Sequence, residues 1–193
     1  PKVRRALSMA IDRSTMTDKV LKTGELPAYG VVPPKTGAYG DPYVPEWASL
    51  PFPERQAMAK QLLAEAGFGP DNPLKLTLSY NTSENHKRIA VAAQAMWKAI
   101  GVQAELVNRE VKVHYDELKQ HNFDVARAAW VADYNDPQNF LYLLETRTGP
   151  NNYSQYSNAK FDELMMEQAA SRDQAQRMQY MHEAEKIAID DDA

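Results

Sequence analysis

The sequence predicts an α/β fold, a layered sheet flanked by helices. Three observations carry this: two apolar runs alternate with period two, helical patterns follow each of them, and a third apolar run closes the series after short connections. Parallel neighbours need crossover connections, so strand, helix, strand, helix, strand predicts a parallel sheet.

The elements follow in order. In "VRRALSMAIDRSTMTDKVLKTG" the residues Val3, Leu7, Ala10 and Ile11 recur at helical spacing, Met16, Val20 and Leu21 predict a second helix or a continuation, and Gly24 ends it. Residues 27–53 hold most of the prolines, which supply no backbone donor and sustain neither helix nor central strand. Tyr29, Tyr39, Tyr43, Trp47 and Phe52 within them predict an ordered loop packed on the body of the protein. "PERQAMAKQLLAEAGF" is a helix with Met58, Leu62, Leu63 and Ala66 on one face, begun by Pro53 and stopped by Gly67. Strands are predicted at residues 74–80, 102–108 and 123–132. Between them lie a helix with the apolar stripe Ile89, Ala92, Ala93, Met96 and Ile100, capped by Asn81 with Glu84, and a short helix near residues 112–120. Two last helices carry Phe161, Leu164, Met165 and Ala169, then Met178, Met181 and Ala188.

With 193 residues and 44% hydrophobic content, one domain over residues 1–193 is expected. The net charge of -4, with its lysines and arginines dispersed, argues against a nucleic-acid surface. No apolar run is long enough to span a membrane, and without cysteine there is neither disulfide nor thiolate metal site. Beginning at Pro1 and stopping at Ala193 just after a helical pattern, the chain reads as a piece of a longer protein. Its four histidines form no HxxxH pair, its glycines form neither a Walker loop nor GxGxxG, and no GxSxG elbow occurs. No metal, cofactor or catalytic function is therefore predicted.

The segment with chemistry is "ARAAWVADYNDP", residues 126–137. In an extended strand Arg127, Ala129 and Val131 share one face while Trp130 opposes them. Arg127 and Asp133 would stand about 20 Å apart at strand rise, room for a short zwitterionic peptide. Asp133 would accept from an α-ammonium, Arg127 would fork onto a carboxylate, and the backbone between would pair with the peptide as an added strand. The competing reading makes Arg127 an edge-strand charge, Trp130 a core residue, and Asp133 with Asn135 and Asp136 a turn or helix cap before Pro137.

Several stretches taken together resemble the extracellular solute-binding proteins of peptide ABC importers, family 5, and among them its oligopeptide binders. They are "VRRALSMAIDR", "GELPAYGVVPP", "AKQLLAEAGF", "LSYNTSENHKRIAVAAQAMWKAIGVQAELVNRE", "FDVARAAWVADYNDPQNFL" and "YSNAKFDELM", in the family's order along nearly the whole chain. The resemblance implies one lobe, the carboxyl-terminal one, of a periplasmic-binding-protein type II fold, with the amino-terminal lobe of the same protein as its partner across a hinge. It implies capture of oligopeptides for an inner-membrane ABC permease, in a periplasm or on a lipid-anchored extracellular protein, without catalysis.

Carried onto this sequence, Asp133 corresponds to the aspartate that holds the peptide amine, and Arg127 to a basic residue for the carboxylate of short peptides. His86 corresponds to a position that meets the carboxylate end of longer ones, though a solvated place in a helix's first turn is its alternative. Ala129 and Val131 fall where backbone pairs with ligand, and Trp130 where a tryptophan lines a side-chain pocket. Val111, Leu118 and Lys119 depart from the family's pattern, which leaves the pocket walls there open. Other solutes on the same scaffold, a murein peptide, a dipeptide or a metal complex, and a hydrolase from another class, are the alternatives.

Overall fold

A computed structural model describes residues 1–193, all of the chain. They form two compact units: residues 1–27, 46–118 and 122–128 in the first, and 28–45, 119–121 and 129–193 in the second.

The first unit starts with α1 (Lys2–Met9), which buries Ala6, Leu7 and Met9. A single turn, α2 (Arg13–Thr15), is capped by Asp12, whose carboxylate accepts from Thr15 N at 3.0 Å, and it runs into a π-helical turn at Met16–Leu21. Helix α3 (Phe52–Glu65) presents Arg55, Ala59 and Leu63 to the interior. Met58 is 42% exposed, so the buried face is rotated from the expected one.

Strand β1 (Lys75–Asn81) pairs in parallel along its whole length with β2 (Gln103–Arg109), Lys75 opposite Gln103 and Asn81 opposite Arg109. The crossover between them is α4 (Glu84–Lys98), and it is Ser83, not Asn81, that caps it. Asn81 instead ends β1. Helix α5 (Val111–Lys119) then returns to β3 (Val125–Ala126), which pairs in parallel with the other edge of β1 and gives the order β2-β1-β3.

Parity sorts the sheet's two faces. Leu76, Leu78 and Tyr80 join α1, α3 and α4 in the core with Trp97, whose indole N–H donates to the Leu7 carbonyl at 3.0 Å. Thr77, Ser79 and Asn81 occupy the opposite face.

The third strand ends well short of residue 132. Ser79 pairs with Ala126, and β1 stops two residues later at Asn81, where the chain turns into the cap of α4. Beyond Ala128 the apolar run has no partner strand, whatever its own preference.

In the second unit, α6 (Gln138–Leu141), α7 (Ala159–Ala170) and α8 (Gln174–Asp190) enclose a core of Phe161, Leu164, Met165, Met178 and Met181. The Pro-rich loop packs into this core through Val32 and Tyr39. What fastens it is Glu185, fully buried on α8. Its Oε1 accepts from Val31 N and Val32 N, both at 3.1 Å, and its Oε2 from the Tyr39 hydroxyl at 2.7 Å and Tyr43 N at 3.0 Å. Four donors satisfy one buried charge. A Cβ at Gly30 would lie 2.3 Å from Glu185 Oε1, which is why no side chain stands there. No helix is long and apolar enough to cross a membrane.

Candidate functional site

In the first unit the polar side chains converge at the carboxyl ends of the three parallel strands, where α/β sheets bind ligands. Arg109 is the last residue of β2 and its Nη1 donates to Ser79 Oγ at 3.0 Å. The Ser79 carbonyl accepts from Arg127 N at 2.8 Å, so one residue of the central strand anchors both arginines. His114, fully buried on α5, lies with Nε2 2.7 Å from the Arg127 carbonyl. A carbonyl only accepts, so Nε2 carries the proton, and Nδ1 is left buried without a partner.

His86 sits in the first turn of α4, its Nδ1 3.2 Å from the Asn81 carbonyl. Burial, the charge of Arg127 and that of His114 hold its pKa below the ordinary value, against the hydrogen bond to Asn81, which works the other way. The field here is positive. Neither Arg109 nor Arg127 forms an ion pair.

The second unit carries the other predicted residues. Ala129 and Asp133 are exposed, Val131 is 86% exposed, and Trp130 is half-buried with its ring edge-on to Tyr142 at 5.7 Å. The main-chain groups of residues 129–132 make no hydrogen bond within the chain. Asn139, almost completely buried, organises this run. Its Oδ1 accepts from the Trp130 indole at 3.1 Å and from Asp133 N at 2.9 Å.

The turn beyond is tied down by Asp136, which takes both Nη atoms of Arg177 at 2.6 and 2.8 Å and the Gln138 amide at 2.9 Å. Burial pushes the Asp136 carboxyl up, but these hydrogen bonds and the guanidinium outweigh it and hold its pKa below the usual value. Asn135 Oδ1 accepts from Gly37 N at 2.8 Å, fixing the turn to the Pro-rich loop. The carboxylate of Asp133 has no partner. Its charge, after burial, helps raise the pKa of Tyr142.

Arg127 and His86 thus belong to the first unit, and Ala129, Trp130, Val131 and Asp133 to the second. The strand expected to carry Arg127, Ala129, Trp130 and Val131, with Asp133 at its exit, reaches only Ala126. Arg109, His114 and Asn139 were missed by sequence reasoning. The signals present were a charged residue closing an alternating strand, a histidine on an apolar helix stripe, and an asparagine two residues past Pro137, none of which points to a site without the partners across the fold.

The first unit is thus a parallel three-stranded sheet with helices and polar strand ends, and the second a helical unit presenting an unpaired backbone run. The profile of "Bacterial extracellular solute-binding proteins, family 5 Middle" matches residues 1–152. The chain belongs to the family 5 solute-binding proteins.

It is 45% identical over 190 residues to the periplasmic murein peptide-binding protein MppA of Escherichia coli, covering 98% of this chain and 35% of that protein. To the periplasmic oligopeptide-binding protein OppA of the same organism it is 42% identical over 193 residues, again 35% of the relative. Among solved structures, Haemophilus influenzae OppA in complex with RPPGFSPFR superposes with a TM-score of 0.93 at 37% identity, over 99% of this chain and 38% of that one. The Escherichia coli murein tripeptide-binding protein MppA superposes with a TM-score of 0.91 at 45% identity, over 97% and 37%. The chain therefore spans about a third of the length of these relatives.

Proposed function

We propose that the chain is part of a two-lobed, hinged receptor that captures oligopeptides outside the cytoplasmic membrane and hands them to an ABC permease, without chemistry on the ligand. Asp133 accepts the peptide α-ammonium, Arg127 receives the carboxylate of short peptides, and His86 meets the carboxylate end of longer ones. The main chain at Ala129 and Val131 pairs with the peptide backbone, and Trp130 lines a side-chain pocket. The receptor is periplasmic, or held at the membrane by a lipid.

One observation carries this reading: the exposed Asp133 carboxylate, without any partner, closes a run of main chain whose hydrogen-bonding groups are also unused. Such an edge supplies affinity through backbone pairing, which reads no side chain, while the charge fixes the ligand's direction. The peptide binders among its relatives support the same reading.

Calorimetric titration of the full-length receptor with tripeptides tests it. Wild type should bind a free-amine peptide, and Asp133→Ala or N-acetylation of the peptide should each weaken binding by roughly 30-fold or more, about 2 kcal/mol. A wild type that ignores peptides, or an alanine variant that binds them unchanged, overturns the assignment.

A further inference from the structure

The strand ends of the first unit hold more positive charge than one ligand carboxylate needs. Arg127 for a short peptide, or His86 for a longer one, already supplies the partner of a terminal carboxylate in the reading above, on which the present inference rests. Arg109 is a further cation on the same sheet.

The face on which Arg109 lies is the polar one, with Thr77, Ser79 and Asn81 of β1 beside Glu105, Val107 and Arg109 of β2. The two carboxylates on it stand toward the other end. Asp124 Oδ2 accepts from Thr77 N at 2.8 Å and Thr77 Oγ1 at 2.9 Å, and Glu105 is four pairs down the ladder from Asn81 and Arg109. Arg109 pairs with neither. Its one hydrogen bond, to Ser79 Oγ, uses a single Nη1 donor and leaves most of the fork unused.

Beside it the Asn81 side-chain oxygen is buried without a partner. A guanidinium oriented by a buried serine, half-buried itself, and free of any acid is preorganised for an anion.

We propose that Arg109 is a specificity-determining residue that receives a second carboxylate of the ligand, so that the receptor selects peptides with an acidic side chain at or beside their carboxyl end. The fork of Arg109 takes that carboxylate in two-point contact, while Arg127 takes the terminal one of a short peptide. A neutral amide in its place would put its NH2 group against guanidinium N–H donors, which costs the pairing and adds a donor–donor conflict.

The full-length receptor is titrated with two tripeptides identical except for glutamate or glutamine as the carboxyl-terminal residue. Wild type should bind the glutamate peptide at least about tenfold more tightly. In Arg109→Gln the affinities of the glutamate and glutamine peptides should converge.

Equal affinities in wild type overturn the inference but leave the peptide-receptor reading standing. Loss of both peptides in equal measure on Arg109→Gln, with none of the wild-type preference, assigns the residue a structural role and overturns it too. If neither peptide binds wild type, the reading on which it rests falls instead. The wild-type comparison decides the question even if the variant does not fold.

Discussion

Replacing Asn139 by alanine tests whether the residue that organises the Asp133 segment is the one seen to bond it. Its Oδ1 is a single buried acceptor serving two donors, the Trp130 indole at 3.1 Å and the Asp133 amide at 2.9 Å. A net contribution near 1 kcal/mol for each bond gives about 2 kcal/mol. Two effects bracket that figure. Asp133 is exposed, so water can replace the acceptor at its amide and lower the cost. Trp130 is half-buried and packed edge-on against Tyr142, so its indole N–H is harder to rehydrate and keeps the penalty near its full size. The expectation is about 1 to 3 kcal/mol of stability lost from this segment.

Hydrogen exchange at the Asp133 amide and the Trp130 indole reads it directly. A cost of that size corresponds to roughly 5- to 150-fold faster exchange where local opening limits it. The same variant should weaken free-amine peptides more than their N-acetylated forms, since what it loosens is the backbone carrying the amine's partner. Exchange unchanged within twofold at both sites would refute the positioning argument.

The other expectations concern single groups. Glu185→Gln keeps an acceptor for Val31 and Val32 but turns an NH2 toward the Tyr43 amide. It should cost about 2 to 4 kcal/mol, read as lost exchange protection at Tyr43 and Val32, and a neutral result would mean that relief of the buried charge cancels the lost bonds. Asp136 has its folded pKa below 3.8, so the stability it contributes is complete above that pH and is lost as pH falls through the folded value. The stability gap between wild type and Asp136→Asn should therefore shrink on acidification below pH 3.8, and a gap constant to the lowest pH at which the protein stays folded would contradict it.

His86 bonds a carbonyl through Nδ1, so only its imidazolium form has an N–H left for a carboxylate. Because its pKa in the free site lies below 6.5, binding of a longer peptide, whose carboxylate meets His86, should take up a proton near neutral pH, and affinity should rise as pH falls. Calorimetry in buffers of different ionisation enthalpy measures the uptake, and His86→Ala should abolish it. Buffer-independent heats would place the carboxylate elsewhere. The same lowered pKa makes the unfolded chain bind more protons between the folded value and 6.5, so His86 costs stability as pH falls through that window.

Much of this protein was legible in its sequence because the signals are local. Alternation at residues 74–80 and 102–108 places β1 and β2 to within a residue, and the apolar spacing of Phe161, Leu164, Met165, Met178 and Met181 matches the core of the second unit. Asp133 and the small residues before it were marked by composition and by family likeness.

What local pattern does not contain is the partner. Whether "VARAAWVA" continues as a strand depended on where β1 ends, and β1 ends at Asn81, forty-four residues earlier than Val125 in the chain. Burial on α3 turned toward Arg55 and away from Met58 because a helix face is chosen by what packs on it. The bond from Asn139 to Asp133, the anchoring of both arginines on Ser79, and the four donors around Glu185 each join residues that no periodicity connects. Sequence determined the elements and the charged groups; tertiary structure decided which of those groups remain without partners, because pairing is a property of two positions and a pattern describes one.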